Sequence, residues 1–193
     1  MRNLTRAMLA LALTLAVSLS LAGARAADFG IDGVGLEGGF SDDDDNGEGS
    51  RGGAYLVWDW PVKWFQYGHW YLGGQWELSA SYWDGDEGDT GNGSLGDFGI
   101  TPVFRIQTDA PYGAIWPFVE GAVGAHFFTD TEFGDLHFGI NYSFGDHLGA
   151  GVRLGETGQY ELGYRYQHLS NAGLSHHNNG INFHLLRLVY HFQ

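Results

Sequence analysis

The sequence predicts an all-β protein, an eight-stranded antiparallel transmembrane β-barrel of the outer-membrane type. Aromatic residues make up 16% of the chain and glycine contributes 32 residues, whereas there are only four prolines. This composition is typical of many curved strands and little helix. Apolar and polar residues alternate with a period of two in successive segments. The connections between the segments alternate between long and short, as they do in outer-membrane barrels.

Residues 1–26 are expected to form a secretory signal peptide. Arg2 and Arg6 give a positively charged start, residues 8–21 form an apolar core, and residues 24–26 read Ala-Arg-Ala, a small-x-small cleavage site. The alternative is a transmembrane anchor, but the apolar core is too short to cross roughly 30 Å of hydrocarbon comfortably. Residues 27–193 are therefore expected to be the exported barrel domain.

The charge of the chain argues against nucleic acid as a partner. Three of the nine Lys and Arg residues lie in the expected leader, which has no acidic residue, so six basic residues face 23 acidic ones in the remainder. Nucleic-acid binding depends on Lys and Arg that neutralise phosphates. The chain also has no cysteine. Disulfides therefore cannot hold this exported domain, and its own backbone ladder and packing, or a membrane, must do so.

Eight segments with period-two alternation are expected to be the barrel strands. Long polar connections are expected at 41–50, 84–94, 129–135 and 171–180, with shorter ones between them. An even strand number leaves both termini on the periplasmic side and places the four long loops outside. The predicted strands are 29–40, 52–61, 68–82, 96–107, 115–128, 138–155, 159–170 and 181–192.

The sixth segment, 138–155, leaves two interpretations open. Its Phe-Gly-Asp-His stretch at 144–147 could be a hairpin turn, which would give nine strands and place the C-terminus on the wrong side. We therefore expect one bent strand with a glycine kink or a bulge.

Acidic runs occupy two of the long connections, 41–50 and 84–94. They are expected to be solvated loop tips. Divalent-cation binding is the alternative, because carboxylates are hard oxygen ligands, but Asp42 to Asp45 lack the spaced ligands of a calcium loop.

Two strands favour a membrane barrel over a soluble sandwich or a lipocalin-like barrel. A soluble barrel buries its apolar face, whereas a membrane barrel presents it outward. The last strand alternates Leu186, Leu188, Tyr190 and Phe192 with Arg187 and His191. The strand before it alternates Tyr160, Leu162, Tyr164 and Tyr166 with Glu161, Gly163, Arg165 and Gln167. We expect the apolar and aromatic sets to face lipid.

A possible nucleophile and base end the seventh strand. Residues two apart in a strand point to the same side, about 6–7 Å apart, so His168 and Ser170 share a face. By parity it is the lipid-facing one. A serine hydroxyl becomes a good nucleophile when a neighbouring imidazole can take its proton, and a lipid ester is the natural neighbour at this depth. The alternative is that both are boundary residues in the headgroup zone.

At these residues the chain resembles the lipid A 3-O-deacylase (PagL) family of outer-membrane barrels. The similarity rests on the run His168-Leu169-Ser170-Asn171-Ala172-Gly173, followed by Asn178 and Gly180. Segments 118–131 and 144–155 are also similar. The resemblance implies hydrolysis of the 3-position acyl ester of lipid A, with release of a 3-hydroxy fatty acid. The implied partner is lipid A in lipopolysaccharide, and no cofactor is implied.

The resemblance also implies roles for individual residues. Ser170 matches the nucleophile and His168 the general base. Asn178 and the backbone N–H of Gly173 match oxyanion-hole donors, and Asn171 matches a supporting residue of that loop.

One position departs from the pattern of the family. The acid that orients the histidine lies twelve residues after the serine, where this chain has Asn182. An amide can accept the imidazole N–H but cannot neutralise an imidazolium. We expect a working, slower enzyme, with an inactive relative as the alternative. Glu161 is a poor substitute, because it faces the lumen far down the strand.

The sequence permits two further hypotheses. His176, His177 and His184 lie near His168 in sequence or across the expected hairpin, but zinc needs three or four convergent ligands, so no metal site is expected. The alternative function is a non-catalytic barrel that serves adhesion or envelope integrity, with the Ser–His pair inert.

Overall fold

The computed structural model describes residues 30–41 and 49–192, and the strands in these ranges form a barrel. The expected leader, residues 1–26, and the acidic run at 42–48 lie outside the described residues. Within these ranges no helix has the length and apolarity needed to cross a membrane. The strands are β1 (Gly33–Ser41), β2 (Gly49–Asp59), β3 (Trp64–Tyr67), β4 (Trp70–Gly85), β5 (Ser94–Thr108), β6 (Ile115–Phe128), β7 (Glu132–Phe133), β8 (Leu136–His137), β9 (Tyr142–Leu154), β10 (Tyr160–Ser170) and β11 (Ile181–His191).

Eight long strands close the barrel. Antiparallel pairing runs in the order β2, β1, β11, β10, β9, β6, β5 and β4, and β2 pairs with β4 to complete the ring. Each of the eight predicted strands has one counterpart, with ends displaced by at most four residues. The prediction of an eight-stranded antiparallel barrel is confirmed.

Strand β9 resolves the ambiguity at 144–147. It is one strand, as expected, and its register is continuous against both β6 and β10, without the expected kink or bulge. Its glycines instead make room for side chains inside the barrel. A Cβ at Gly145 would lie 2.5 Å from His126 Nε2, and one at Gly151 would lie 2.5 Å from Phe118 Cζ.

Three short strands were not predicted. Strand β2 ends at Asp59, before Pro61, and β3 then continues its track by pairing with β4 at Trp64 and Tyr67. Strands β7 and β8 form a two-residue hairpin inside the long connection between β6 and β9. All three lie in segments where the period-two signal is too short to detect.

The outer face of the barrel is apolar and its lumen is charged. In β11, the side chains of Leu186 and Leu188 are 65% and 57% exposed, whereas Arg187 between them is 1% exposed. The same alternation runs along β10, where Glu161 and Arg165 are buried between exposed tyrosines. This is the pattern of lipid contact rather than of a soluble sandwich.

The middle of the lumen is filled by an ion-pair network. Arg165 lies 3.0 Å from Glu77 and 2.7 Å from Glu120, and Arg187 lies 2.9 Å from Glu77. Buried charges are stable only when they are paired and hydrogen-bonded. The buried charged residues of the described lumen are Glu37, Arg51, Glu77, Asp97, Arg105, Glu120, Glu161, Arg165 and Arg187.

An apolar cluster closes the end of the lumen that carries the long loops. We call this cluster the plug; it consists of Trp83, Leu95, Phe128, Phe133, Leu136, Phe138, Leu169, Ile181, Phe183 and Leu185. The Trp83 ring lies at its centre, with ring centroids of Phe183 and Phe128 at 4.7 and 5.1 Å. Edge-to-face aromatic contacts of this kind pack tightly. The plug gives the loops above it a rigid base.

Candidate active site

The candidate site lies on the outside of the barrel at the loop end of β10. His168 and Ser170 are half-buried and point outward, while Leu169 between them points inward and is fully buried in the plug. On β11, Asn182 likewise points outward between the buried Ile181 and Phe183. The period-two alternation therefore places polar residues outside and anchors their backbone by apolar residues inside.

Strand register brings Asn182 to His168. The two residues are direct partners across the antiparallel pair of β10 and β11. His168 Nδ1 lies 2.7 Å from Asn182 Oδ1. An amide oxygen can only accept, so Nδ1 donates and Nε2 carries the lone pair. This tautomer leaves a lone pair on Nε2 that can accept a proton, and the register that the sequence left open places the two residues side by side.

Gly180 fits against the edge of the His168 ring. A Cβ at this position would lie 2.5 Å from His168 Cε1 and 3.1 Å from Nε2. Distances this short require the ring or the backbone to move. The absence of a side chain at Gly180 therefore lets the imidazole occupy its observed position beside β11.

Asn171 organises the loop that follows Ser170. Its side chain is buried; Nδ2 donates to the carbonyl oxygens of Phe138 and His177, both at 2.6 Å. Its Oδ1 accepts the N–H of Gly173 at 2.9 Å, and its own N–H donates to Asn178 Oδ1 at 2.9 Å. The side chain thus bonds two backbone groups of this loop, at Gly173 and His177, and one group of the β6–β9 connection, at Phe138.

The two predicted oxyanion donors, Asn178 and the Gly173 N–H, differ in their hydrogen bonding. Because Asn178 Oδ1 is occupied by the Asn171 N–H, the amide group is oriented and its NH₂ remains as the donor for a ligand. The Gly173 N–H donates to Asn171 Oδ1, and the left-handed φ of +53° at Ala172 and +79° at Gly173 shapes this turn. For Gly173 to serve an oxyanion, that hydrogen bond must be shared.

Sequence reasoning missed Asp146. In the register of β9 against β10, Asp146 is the direct partner of His168, on the side opposite to Asn182. It points outward and is exposed. Directly opposed residues have Cβ atoms about 4.5–5.5 Å apart, so a carboxylate lies near the imidazole without a hydrogen bond to it. The period-two alternation of segment 138–155 places Asp146 on the outward face, but only the strand register shows that it lies opposite His168.

Glu161, His184 and His177 have other neighbours. Glu161 is buried in the lumen, where it binds Arg105 and His191. The His184 ring faces outward, with Nδ1 2.5 Å from Tyr164 OH. The His177 ring centroid is 6.0 Å from that of His137. In the ranges 30–41 and 49–192, no three His, Cys, Asp or Glu side chains form a group suited to a metal ion.

Comparison with known proteins gives a consistent result. Residues 50–191 match the family model described as lipid A 3-O-deacylase (PagL). The chain is 36% identical over 126 residues to lipid A deacylase PagL of Pseudomonas aeruginosa, covering 65% of this chain and 69% of that protein. It is 35% identical over 129 residues to lipid A deacylase PagL of Bordetella bronchiseptica, covering 63% and 67%.

A solved structure supports the same assignment. The crystal structure of the outer membrane enzyme PagL superposes with a TM-score of 0.68 at 30% identity, and it covers 82% of this chain and 98% of the other. The resemblance inferred from the residues between His168 and Gly180 is therefore confirmed. This chain is an outer-membrane β-barrel that belongs to the lipid A 3-O-deacylase (PagL) family.

Proposed function

We propose that this protein is an outer-membrane serine esterase that hydrolyses the 3-position acyl ester of lipid A and releases a 3-hydroxy fatty acid. The observation that carries the proposal is the hydrogen bond of 2.7 Å between His168 Nδ1 and Asn182 Oδ1 on the lipid-facing side, next to Ser170. The chain that carries it belongs to the lipid A 3-O-deacylase family. The substrate is a lipid, and the side chains that can cleave it face the lipid.

Ser170 and His168 form the proposed catalytic pair. The Ser170 hydroxyl attacks the ester carbonyl carbon while His168 Nε2 takes its proton. The hydrogen bond from His168 Nδ1 to Asn182 holds the ring and its tautomer. Because Asn182 is neutral, it orients the base without offsetting the charge that the imidazolium acquires.

The loop after Ser170 supplies the proposed oxyanion donors. The carbonyl oxygen becomes negative when Ser170 adds to the carbon, and donors placed at that oxygen stabilise the transition state. Asn178 is the first donor, because its amide is already oriented by Asn171. The Gly173 N–H is the second donor, and it shares its hydrogen between the oxyanion and Asn171 Oδ1.

The remaining steps release the two products and restore the Ser170 hydroxyl. The tetrahedral intermediate collapses by breaking the bond to the sugar oxygen, which leaves with the proton held by His168. Water then attacks the acyl-enzyme as His168 takes a proton again, and the fatty acid departs as Ser170 regains its hydrogen. No cofactor takes part in this sequence.

The test is product analysis with a nucleophile variant. Refolded wild-type protein is incubated with lipid A, and the products are analysed by mass spectrometry beside those of Ser170→Ala. We expect a loss of one 3-hydroxyacyl group with the wild type and a rate lower by several orders of magnitude with the variant.

The alternative, a non-catalytic barrel for adhesion or envelope integrity, is not favoured by the family and its relatives. It makes the opposite prediction for this assay. Unchanged lipid A with correctly folded wild-type protein would refute the esterase.

A further inference from the structure

Two long loops meet beside the candidate site. Residues 129–141 connect β6 to β9, and residues 171–180 connect β10 to β11 and carry the proposed oxyanion donors. The Phe138 carbonyl accepts from Asn171 Nδ2 at 2.6 Å, and the His137 N–H donates to Asn179 Oδ1 at 3.3 Å. The second loop thus takes part of its support from the first.

The β6–β9 loop is itself firmly held. The side chains of Phe133, Leu136 and Phe138 are fully buried in the plug. The Phe138 N–H donates to the Thr131 carbonyl at 2.8 Å, and Asn141 Nδ2 donates to the Phe128 carbonyl at 2.9 Å. A loop with buried apolar anchors and satisfied backbone groups can act as a fixed support.

Gly139 sets how closely the two loops approach. Its φ is +72°, and a Cβ there would overlap Ser175 Oγ and lie 3.0 Å from the His177 carbonyl oxygen. His177 O is one of the two acceptors of Asn171 Nδ2. A side chain at 139 would therefore push on the same segment whose position fixes Asn171.

We propose that the β6–β9 loop is a positioning element of the esterase, with Phe138 and Gly139 as positioning residues. The Phe138 carbonyl holds Asn171, the Asn171 N–H holds the amide of Asn178, and Gly139 allows the loops to close to this distance. The inference rests on the proposed function for its catalytic consequence. The mechanical coupling of the two loops rests on the contacts alone.

Gly139→Ala is expected to lower kcat by about 10- to 100-fold while KM for lipid A stays within about twofold. An oxyanion donor acts on charge that develops only in the transition state, so its displacement lowers kcat rather than ground-state binding. A merely structural role would instead reduce the folded fraction and leave kcat per folded molecule unchanged.

Gly113→Ala is the matched control. Gly113 has a similar φ of +68° in the β5–β6 connection, at the opposite end of the barrel, and a Cβ there meets nothing within 4 Å. The control thus carries a similar backbone strain far from both the β6–β9 loop and the β10–β11 loop. Ser175→Gly is the rescue variant, because it removes the hydroxyl that a Cβ at 139 would overlap. We expect the double variant Gly139→Ala/Ser175→Gly to recover part of the lost kcat.

Amide hydrogen exchange in the same samples separates this inference from the proposed function. The Asn171 N–H, which donates to Asn178, should exchange faster in Gly139→Ala than in wild type or Gly113→Ala. Faster exchange in a protein without esterase activity would refute the proposed function and retain the loop coupling. Wild-type values of both kcat and exchange in Gly139→Ala would overturn the inference, as would an equal loss of kcat in Gly113→Ala.

Discussion

Asn182 orients His168 without adding a negative charge, because its amide oxygen accepts the imidazole hydrogen. Hydrogen bonds to a charged group contribute about 1 kcal/mol more than those between neutral groups. That difference corresponds to several-fold in rate. Asn182→Glu is therefore expected to raise kcat several-fold, measured by fatty-acid release from lipid A. An unchanged rate would show that Asn182 does not assist His168 in catalysis.

The carboxylate of Asp146 allows a second test of how negative charge near His168 affects the rate. Asp146 lies opposite His168 on the other neighbouring strand, where its carboxylate is expected to supply some negative charge near the imidazole. The gain from Asn182→Glu should therefore be larger in an Asp146→Asn background than in the wild type. Equal gains in both backgrounds would show that Asp146 does not act on His168.

Gly180 is expected to be sensitive to substitution, although it carries no side chain. Gly180→Ala displaces the His168 ring, because the new methyl group would lie 2.5 Å from Cε1. A displacement of about 1 Å at a reacting group can cost roughly 100-fold in rate. We expect a fall of 10- to 100-fold in kcat.

Gly52→Ala is the control for this substitution. A Cβ at Gly52, on the outside of β2, meets nothing within 4 Å. It should retain wild-type activity, and a similar kcat for Gly180→Ala and Gly52→Ala would contradict the packing argument.

At the residue scale, the sequence predicts which face a side chain occupies better than it predicts its neighbours on other strands. Parity places His168 and Ser170 on one outward face, and family resemblance points to Asn178. The roles of Asp146 and Gly180 depend on which residues lie opposite each other across three strands. Such cross-strand neighbours are set by strand register, which a single sequence does not specify.

At the scale of elements, alternation predicts all eight barrel strands because each is long and has one lipid-facing side. It fails for β3, β7 and β8, which are four residues or shorter. The alternation also gives the wrong explanation for the glycines of β9. Their flexibility suggests a bulge, but they are needed because the His126 and Phe118 side chains occupy the space that a Cβ would fill. That reason lies on other strands, so local pattern cannot supply it.

At the scale of the whole molecule, the lumen network is expected to carry much of the stability. Glu77 receives hydrogen bonds from both Arg165 and Arg187, so Glu77→Gln leaves two buried guanidinium groups partly uncompensated. Removal of one partner from a buried pair costs about 3–5 kcal/mol. We expect a loss of this size in urea unfolding of protein refolded into vesicles.

Glu156→Gln is the control, because Glu156 is exposed in the turn between β9 and β10. Exposed charges contribute about 0–1 kcal/mol. Equal stabilities for the two variants would mean that the lumen network does not hold the barrel together.

The filled lumen has a kinetic consequence. Ion pairs occupy its centre and the plug closes the end next to the candidate site. Substrate therefore approaches from the side, by two-dimensional diffusion within the leaflet that surrounds β10. The rate of the enzyme should accordingly follow the mole fraction of lipid A in the membrane rather than its bulk concentration, and it should fall when an inert lipid dilutes the surface. Stiffer acyl chains in the host leaflet should slow turnover, even though no atom of the protein has changed.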